Sequence, residues 1–399
     1  MQNSVKILLK AGKDASVRRF HPWIFSGALQ QIPQGLPDGT PVEVFDYRGG
    51  YLGAGLYQQA TISIRMLAFA PWRPEINAQE FWDKVINQAF SWRLSCGIAE
   101  NPHTQVYRLV HGEGDHLPGV IIDHYNGHLV IQIHATGVYP YLNKIGEALK
   151  RLYGASLKSI TDKSRDTLPD TFWNSRVYNP NVYGQSGVVE VREYGHKFLI
   201  DLHTGQKTGF FIDQRENRKL LESYARGQKI LNTFCYSGGF SVYGLHGGAS
   251  EMYSLDSSVK AIDLARQNVE LNFGKDPRHH LIQSDTMQYL KHTEEDFDTI
   301  ILDPPAFAKH NNVKHNALQG YKRLNFEAIR RIRSGGRLFT FSCSQVIDMP
   351  LFRGAVMAAA IEAQRPVRIL HHLGQPPDHP VSIFHPEGEY LKGLVLLID

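Results

Sequence analysis

One cysteine and one aspartate each follow an apolar run typical of a buried strand. Cys343 comes after RLFTFS, and Asp303 comes after TIIL. Because the carboxyl ends of parallel strands meet at one edge of a sheet, we expect both side chains to face one crevice. A thiolate that adds to carbon 6 of cytosine makes carbon 5 able to attack a sulfonium methyl group, and an acid beside the ring stabilises the adduct. The alternative for an isolated cysteine, and our interpretation of Cys96 and Cys235, is a small buried apolar residue.

Two consecutive prolines follow the aspartate and make a rigid turn with few backbone donors. Such a turn can hold Asp303 and a backbone carbonyl towards the edge of a nucleobase, with Phe307 available for stacking. A plain proline-rich turn is the alternative. We therefore predict that Pro304 and Phe307 contact the base.

A glycine pair follows another predicted strand, in the run LNTFCYSGGFS. Gly238 and Gly239 would let the backbone turn tightly and approach a ligand. Acids follow the next two strands, with Asp256 and Ser257 suited to ribose hydroxyls and Asp285 suited to an adenine amino group. The G-x-G-x-x-G pattern of dinucleotide sites is missing, so we predict an adenosine-bearing cofactor without a pyrophosphate. Ordinary strand–helix turns with capping residues are the alternative.

A basic and aromatic cluster lies near the N-terminus, in VRRFHPWIFSG. Arginines such as Arg18 and Arg19 can hold phosphates, and Trp23 can stack on a base. From this segment alone, the favoured interpretation is a buried aromatic core with solvated arginines.

Composition excludes several classes of protein. The 399 residues are 42% hydrophobic and 21% charged, with a formal charge of +4, which is typical of a folded globular protein. The chain has no apolar run long enough to cross a bilayer, and its first residues lack the pattern of a signal peptide, so we expect neither a membrane span nor a secretory leader. Three widely spaced cysteines suit a reducing cytosol, so we expect a cytoplasmic protein. The small net charge permits nucleic-acid binding through a local patch.

The hydrophobic patterns predict three domains. Residues 1–72 are β-rich, and 73–187 contain a small α+β domain and a connector. Residues 188–399 alternate strands and helices, which predicts an α/β, doubly wound, largely parallel sheet.

Several segments together resemble one family. TFSCSQ, DPPAFAK, NTFCYSGGFS and KTGFFIDQR resemble the ribosomal RNA large subunit methyltransferase I family, which makes 5-methylcytosine in 23S rRNA. RRFHPWIFSG resembles that family's N-terminal PUA domain, an RNA-binding module. The resemblance covers essentially the whole chain, and it implies a Rossmann-like class I methyltransferase domain, a central α+β domain, S-adenosylmethionine as cofactor and a cytoplasmic homodimer. We expect no metal.

The resemblance also implies roles for individual residues. Cys343 would be the nucleophile and Asp303 the acid that stabilises the base. The implied cofactor contacts are Phe234, Tyr236, Gly238, Asp256 and Asp285, and the stretch Asp213, Gln214 and Arg215 would line the same pocket. The glycine turn departs from the D/E-x-G-x-G-x-G of class I methyltransferases at large and matches this family's Gly-Gly variant.

Three hypotheses follow. The leading hypothesis is methylation of carbon 5 of a cytidine in 23S rRNA, free or in a large-subunit precursor. An Asp-Pro-Pro-aromatic turn also suits methylation of a guanine exocyclic amine, which needs no thiol adduct. The third hypothesis is a non-catalytic RNA-binding protein of ribosome assembly.

Overall fold

The computed structural model describes residues 5–174, 176–307 and 313–399, and its contacts divide the chain into two compact units. The first unit contains Met1–Val191, Ile200–Phe210 and Pro377–Gly388. The second unit contains Arg192–Leu199, Phe211–Pro376 and Glu389–Asp399. Within the residues described, no helix combines the length and apolarity needed to cross a membrane.

The first unit begins with a five-stranded sheet in the order β1-β3-β4-β5-β2. Strand residues alternate between buried and half-exposed in β3, as expected for a sheet with one face on a core. That core contains Ile7, Val44 and Ile64, which are fully buried. The elements are β1 (Val5–Leu8), α1 (Ala15–Arg18), β2 (Trp23–Phe25), β3 (Pro41–Phe45), β4 (Tyr51–Tyr57) and β5 (Ile62–Phe69).

A second five-stranded sheet, in the order β10-β9-β8-β7-β6, completes the first unit with three helices. The predicted Asn-Gly hairpin joins β7 to β8, and both Asn126 (φ 50°) and Gly127 (φ 86°) adopt the positive φ that this turn requires. The elements are α2 (Gln79–Ser95), β6 (Val106–His111), β7 (Val120–Tyr125), β8 (His128–Ile133), α3 (Leu142–Tyr153), β9 (Ser159–Asp162), α4 (Asp170–Trp173) and β10 (Asn181–Tyr183).

The segment Pro377–Gly388 belongs to the first unit although it is far along the chain. Arg93 is fully buried, pairs with Asp115 and donates a hydrogen bond to the carbonyl of Asp378 (2.7 Å). The hydrophobic pattern of the sequence does not predict that this late segment packs in the first unit. The predicted boundaries at 72/73 and 187/188 stay a prediction.

A two-stranded hairpin, β11 (Val188–Glu193) and β12 (His196–Asp201), precedes the larger sheet of the second unit. That sheet has seven strands in the order β15-β14-β13-β16-β17-β19-β18. The strands are β13 (Lys229–Thr233), β14 (Glu251–Asp256), β15 (His279–Gln283), β16 (Phe297–Leu302), β17 (Ile332–Ser342), β18 (Val367–Leu373) and β19 (Lys392–Ile398).

Helices alternate with these strands, which confirms the predicted doubly wound α/β fold. They are α5 (Arg215–Tyr224), α6 (Gly239–His246), α7 (Val259–Phe273), α8 (Thr286–His292), α9 (Lys314–Arg331) and α10 (Met349–Glu362). Strands β13 to β17 pair in parallel, whereas β19 lies antiparallel between β17 and β18. The sequence patterns did not predict the antiparallel pair.

We expect Arg93→Met to destabilise the first unit. The substitution leaves the Asp115 carboxylate, 5% exposed, without its cation, which typically costs about 3–5 kcal/mol. Urea unfolding of the full chain would measure the loss. The control Arg151→Met removes an exposed ion pair with Asp83 and should cost less than about 1 kcal/mol. Equal losses in the two variants would contradict this prediction.

Candidate active site

The predicted site residues of the second unit lie at the carboxyl ends of its parallel strands. The chain passes from β13 outward to β14 and β15, and then returns to β16 on the other side of β13. Connections on opposite faces leave a crevice at such a switch point, where ligands of α/β sheets bind. Asp256 ends β14, and Asp303 and Cys343 follow β16 and β17 directly.

The turn after β13 is held in an unusual backbone conformation. Phe234 (φ 52°), Tyr236 (φ 43°) and Gly238 (φ 71°) all have positive φ, and the first two are not glycines. A Cβ on Gly238 would lie 3.0 Å from both Cα and Cβ of Ala265. Gly239 then begins α6. Backbone strain of this kind persists where the surrounding structure enforces it, and it is common at ligand sites.

The carboxylate of Asp256 is fixed by this turn. Its Oδ2 accepts from the backbone N–H of Tyr236 (3.1 Å), and its Oδ1 accepts from that of Ser258 (2.9 Å). Each carboxylate oxygen can accept a further hydrogen bond, so the group can receive two ribose hydroxyls. The neighbouring Ser257 is exposed.

Asp285 caps a helix, as expected if its turn is an ordinary strand–helix turn, which is the alternative to a cofactor contact. Its Oδ1 accepts from the backbone N–H of Gln288 (2.9 Å) and caps α8. The side chain is exposed at the end of β15, and its other oxygen can accept from a ligand amine.

Asp213, Gln214 and Arg215 are buried at the start of α5. The hydroxyl of Tyr390 donates to Asp213 Oδ2 (2.7 Å), and Asn217 donates to Gln214 Oε1 (2.6 Å). Arg215 Nε lies 3.1 Å from Glu216 Oε1. These side chains are therefore fixed by protein partners.

The stretch around Arg215 adjoins the glycine turn. The ring of Phe211 contacts that of Tyr236 edge-on, with centroids 5.3 Å apart. Arg218 lies against Gly239 and forms a buried ion pair with Glu193 (2.8 Å). Burial raises the pKa of Glu193 even though Arg218 and Arg215 lower it. Two segments distant in sequence thus pack around the same turn.

Cys343 lies beside the proline turn that carries Asp303. Its Sγ is 3.9 Å from the carbonyl oxygen of Pro304, and both Cys343 and Asp303 are partly exposed. Cys235 differs, because it is buried and burial raises the pKa of its thiol, with the Asp256 charge adding to the effect. The interpretation of Cys235 as a buried thiol agrees with this environment.

Tyr321 of α9 is a site residue that the sequence patterns did not predict. It is fully buried, and Ser342 donates to its hydroxyl (2.9 Å). Burial raises its pKa to about 12, and the charges of Cys343 and Asp303 also raise it. Phe307 packs against the Tyr321 ring with centroids 4.6 Å apart. A tyrosine in an amphipathic helix carries no sequence signal for such a role.

A cleft of about 420 Å³ lies next to Phe307. Its apolar lining comes from Phe307, Met287 and Leu324. The exposed cations Lys291 and Arg323 also line it. Neither cation forms an ion pair within the described ranges of the chain. Their isolated positions in the sequence did not mark them as a pair.

The predicted RNA contacts of the first unit differ in their surroundings. Arg18 is half-exposed and pairs with both Asp14 (2.6 Å) and Asp46 (2.5 Å). Arg19 is exposed and has no ion pair with any residue that the structure describes.

Trp23, the predicted stacking residue, is half-buried. Its Nε1 donates to Glu113 Oε1 (2.8 Å), and its ring meets that of His385 edge-on, with centroids 4.4 Å apart. The indole therefore has protein partners on its polar edge and at its ring.

Among the residues that the structure describes, two groups of histidines and carboxylates have potential metal-ligand atoms within 4.8 Å of one another: His21, His385 and Glu387, and His196, Glu222 and His246. Neither group includes a residue of the crevice. In the second group, Glu222 already accepts from His246 (2.8 Å) and from Lys219 (2.6 Å). The expectation of no metal stays a prediction.

Comparisons with known proteins identify the family of the chain and its N-terminal domain. Residues 108–386 match the model of a family described as S-adenosylmethionine-dependent methyltransferase, and residues 7–69 match a PUA-like domain. Proteins named ribosomal RNA large subunit methyltransferase I are similar along the whole chain. The Escherichia coli protein is 36% identical over 396 residues and the Serratia proteamaculans protein 35% over 400, each covering 98% of both chains.

Solved structures agree on the fold. A protein of Streptococcus mutans named as a SAM-dependent methyltransferase superposes with a TM-score of 0.82 at 22% identity, covering 98% of this chain and 99% of that one. A methyltransferase structure complexed with SAH gives a TM-score of 0.83 at the same identity and coverage. At this level of identity the likeness concerns the fold.

We expect Gly238→Ala to weaken binding of S-adenosylhomocysteine by at least about tenfold, because alanine strains a positive φ by about 1–2 kcal/mol and its Cβ meets Ala265. Calorimetric titration would measure the change. Gly354→Ala is the control, since that glycine lies in α10 with nothing within 4 Å of a Cβ. Unchanged affinity in Gly238→Ala would remove the turn from the cofactor site.

Proposed function

The chain belongs to the S-adenosylmethionine-dependent methyltransferases, in the family of ribosomal RNA large subunit methyltransferase I, and we propose that it methylates carbon 5 of a cytidine in 23S ribosomal RNA. The observation that carries the proposal is the position of Cys343, whose Sγ lies 3.9 Å from the Pro304 carbonyl in the turn that bears Asp303. A nucleophile and an acid beside one crevice are what carbon methylation of a pyrimidine requires.

In the proposed mechanism, the Cys343 thiolate adds to carbon 6, and the electrons of the 5,6 double bond move to carbon 5. Bound S-adenosylmethionine supplies the methyl group as an electrophilic sulfonium. Asp303, in its acid form, hydrogen-bonds the ring nitrogen and the exocyclic amine and so stabilises the negative charge of the adduct. Once carbon 5 carries the methyl group, a base removes its proton, the double bond reforms and the thiolate leaves.

The cofactor is proposed to bind along the turn after β13. Asp256 would accept from the ribose hydroxyls, and Asp285 from the adenine amine. Gly238 and Gly239 allow close approach of the backbone, with Phe234, Tyr236 and Ser257 along the same edge. The buried stretch Asp213, Gln214 and Arg215 would form the wall behind the turn.

The RNA is proposed to contact both the crevice and the PUA-like domain. A base that is stacked inside an RNA helix cannot reach a crevice of this kind, so the target nucleotide must be unstacked. Pro304 and Phe307 would flank that base, and Lys291 and Arg323 would hold a neighbouring phosphate. Arg18, Arg19 and Trp23 would contact RNA in the first unit. The homodimer and the cytoplasmic location are predictions of the same kind.

The turn DPPAF also favours a second candidate, methylation of a guanine exocyclic amine. An amine attacks a sulfonium carbon without covalent activation, so that reaction does not use Cys343. The two reactions therefore differ in their need for the thiol.

We expect Cys343→Ala to reduce methyl transfer to rRNA by at least about a thousandfold, because the substitution removes the nucleophile that forms the proposed adduct. Tritiated-methyl transfer, followed by digestion to nucleosides, measures the rate and separates 5-methylcytidine from N-methylguanosine. Titration with S-adenosylhomocysteine should be unchanged. The control Cys96→Ala should keep full activity, since Cys96 caps α2 in the first unit. Wild-type activity in Cys343→Ala would favour amine methylation, and a wild-type protein that binds no cofactor would favour the non-catalytic hypothesis.

We expect Arg19→Ala to weaken RNA binding and to lower the slope of log affinity against log salt by about 0.7–0.9, which is the loss of one phosphate contact. Arg18→Ala should change the slope less, because two carboxylates already neutralise that guanidinium. Filter binding at several salt concentrations would measure both slopes. An unchanged slope in Arg19→Ala would show that this side chain does not contact a phosphate of the RNA.

A further inference from the structure

A buried lysine stands next to the proposed nucleophile. Lys392 begins β19, is only 3% exposed, and donates from Nζ to the carbonyls of Ser344 and Tyr390, both at 2.6 Å. No carboxylate lies within ion-pair distance of this ammonium in the ranges that the structure describes. A buried charge without a counter-ion is costly, so such a group normally has an anionic partner at some stage of its function.

The contacts of Lys392 bracket Cys343. In the antiparallel pairing of β17 with β19, Lys392 lies opposite Ser342, the residue before the cysteine. Its ammonium binds the carbonyl of Ser344, the residue after the cysteine. The lysine is thereby tied to the backbone on both sides of the thiol.

The charges around the pair favour a cation beside the thiol. Burial lowers the pKa of Lys392, while Cys343 is the group that raises it most, followed by Glu389 and Asp348. Tyr321 of α9, with its pKa raised to about 12, is neutral at physiological pH. An ionised Asp303 would oppose a thiolate here, and the ammonium of Lys392 would offset that repulsion.

We propose that Lys392 is the positioning residue for Cys343: its backbone pairs with the residue before the cysteine, and its ammonium holds the carbonyl of the residue after it and stabilises the thiolate. The inference rests on the proposed function, because a stabilised thiolate is useful if Cys343 is the nucleophile. Ionisation of the thiol can nevertheless be measured without catalysis. The thiol proton goes to solvent, and the sulfur anion replaces the counter-ion that the ammonium lacks. An opposite charge within about 4–6 Å lowers the pKa of an acidic group by about one to three units, and a neighbouring lysine lowers the pKa of a thiol in the same way.

The test is the pH dependence of iodoacetamide alkylation at Cys343, resolved by peptide mass spectrometry in the full chain. We compare the wild type with Lys392→Gln, which removes the charge and keeps a donor, and with Lys392→Arg, which keeps the charge. At neutral pH, alkylation of Cys343 should slow about tenfold or more in Lys392→Gln, since the thiolate is the reacting species. Lys392→Arg should restore most of the rate. Cys96 in the same samples is the internal reference.

Identical pH profiles for Cys343 in the wild type and Lys392→Gln would overturn the inference. If Lys392→Gln does not fold, Lys392→Met takes its place: a pH profile shifted upward by about one unit or more supports the inference, and the wild-type profile contradicts it. If the profiles shift as expected but Cys343→Ala still methylates RNA, the thiol is activated as inferred and the proposed carbon methylation fails separately.

A further readout distinguishes charge from structure. The acid limb of the pH profile of kcat should move upward in Lys392→Gln and stay in place in Lys392→Arg, whereas a purely structural role would lower kcat at all pH values alike.

Discussion

The parallel pairing of β16 with β17 is the constraint on which the proposed chemistry depends. Leu302 lies opposite Thr340 in this pair, so the residues that follow both strands emerge at one edge. Asp303 and Cys343 are brought to one crevice by this register, although they are far apart in sequence. Both strands are anchored by fully buried side chains. These are Phe339 and Phe341 in the strand before the cysteine, and Ile300 and Ile301 in the strand before the acid. A slip of one residue would turn either functional side chain to the other face.

The crevice combines strain on one side with fixed charge on the other. Positive φ at Phe234, Tyr236 and Gly238 shapes the turn after β13, and the carboxylate of Asp256 is bound to that turn by a backbone N–H. On the other side, the Tyr321 hydroxyl and the buried ammonium of Lys392 bond to the residues directly before and after Cys343. In the proposed mechanism, the same sheet edge would hold the cofactor on one side and stabilise a thiolate on the other.

The sequence predicted those parts of the fold that local patterns determine. The alternating strands and helices, the Asn126–Gly127 hairpin and the placement of acids at strand ends follow from periodicity and turn chemistry. The antiparallel pair β18 and β19 was not predicted, because no periodicity distinguishes it from another parallel crossover. Lys392 could not be identified either, since its burial depends on long-range pairing with Ser342. The ion pair of Arg18 with Asp46 is likewise a tertiary contact that a charge pattern cannot reveal.

The most direct measurement of the central claim is covalent trapping on RNA that carries 5-fluorocytidine. Fluorine at carbon 5 cannot leave as a proton does, so a methylated adduct would stay bonded to the thiol. With S-adenosylmethionine present, we predict a complex that survives denaturation, carries the RNA on the Cys343 peptide and is missing in Cys343→Ser. Methylation of rRNA on a guanosine amine, with no trapped complex, would contradict the account.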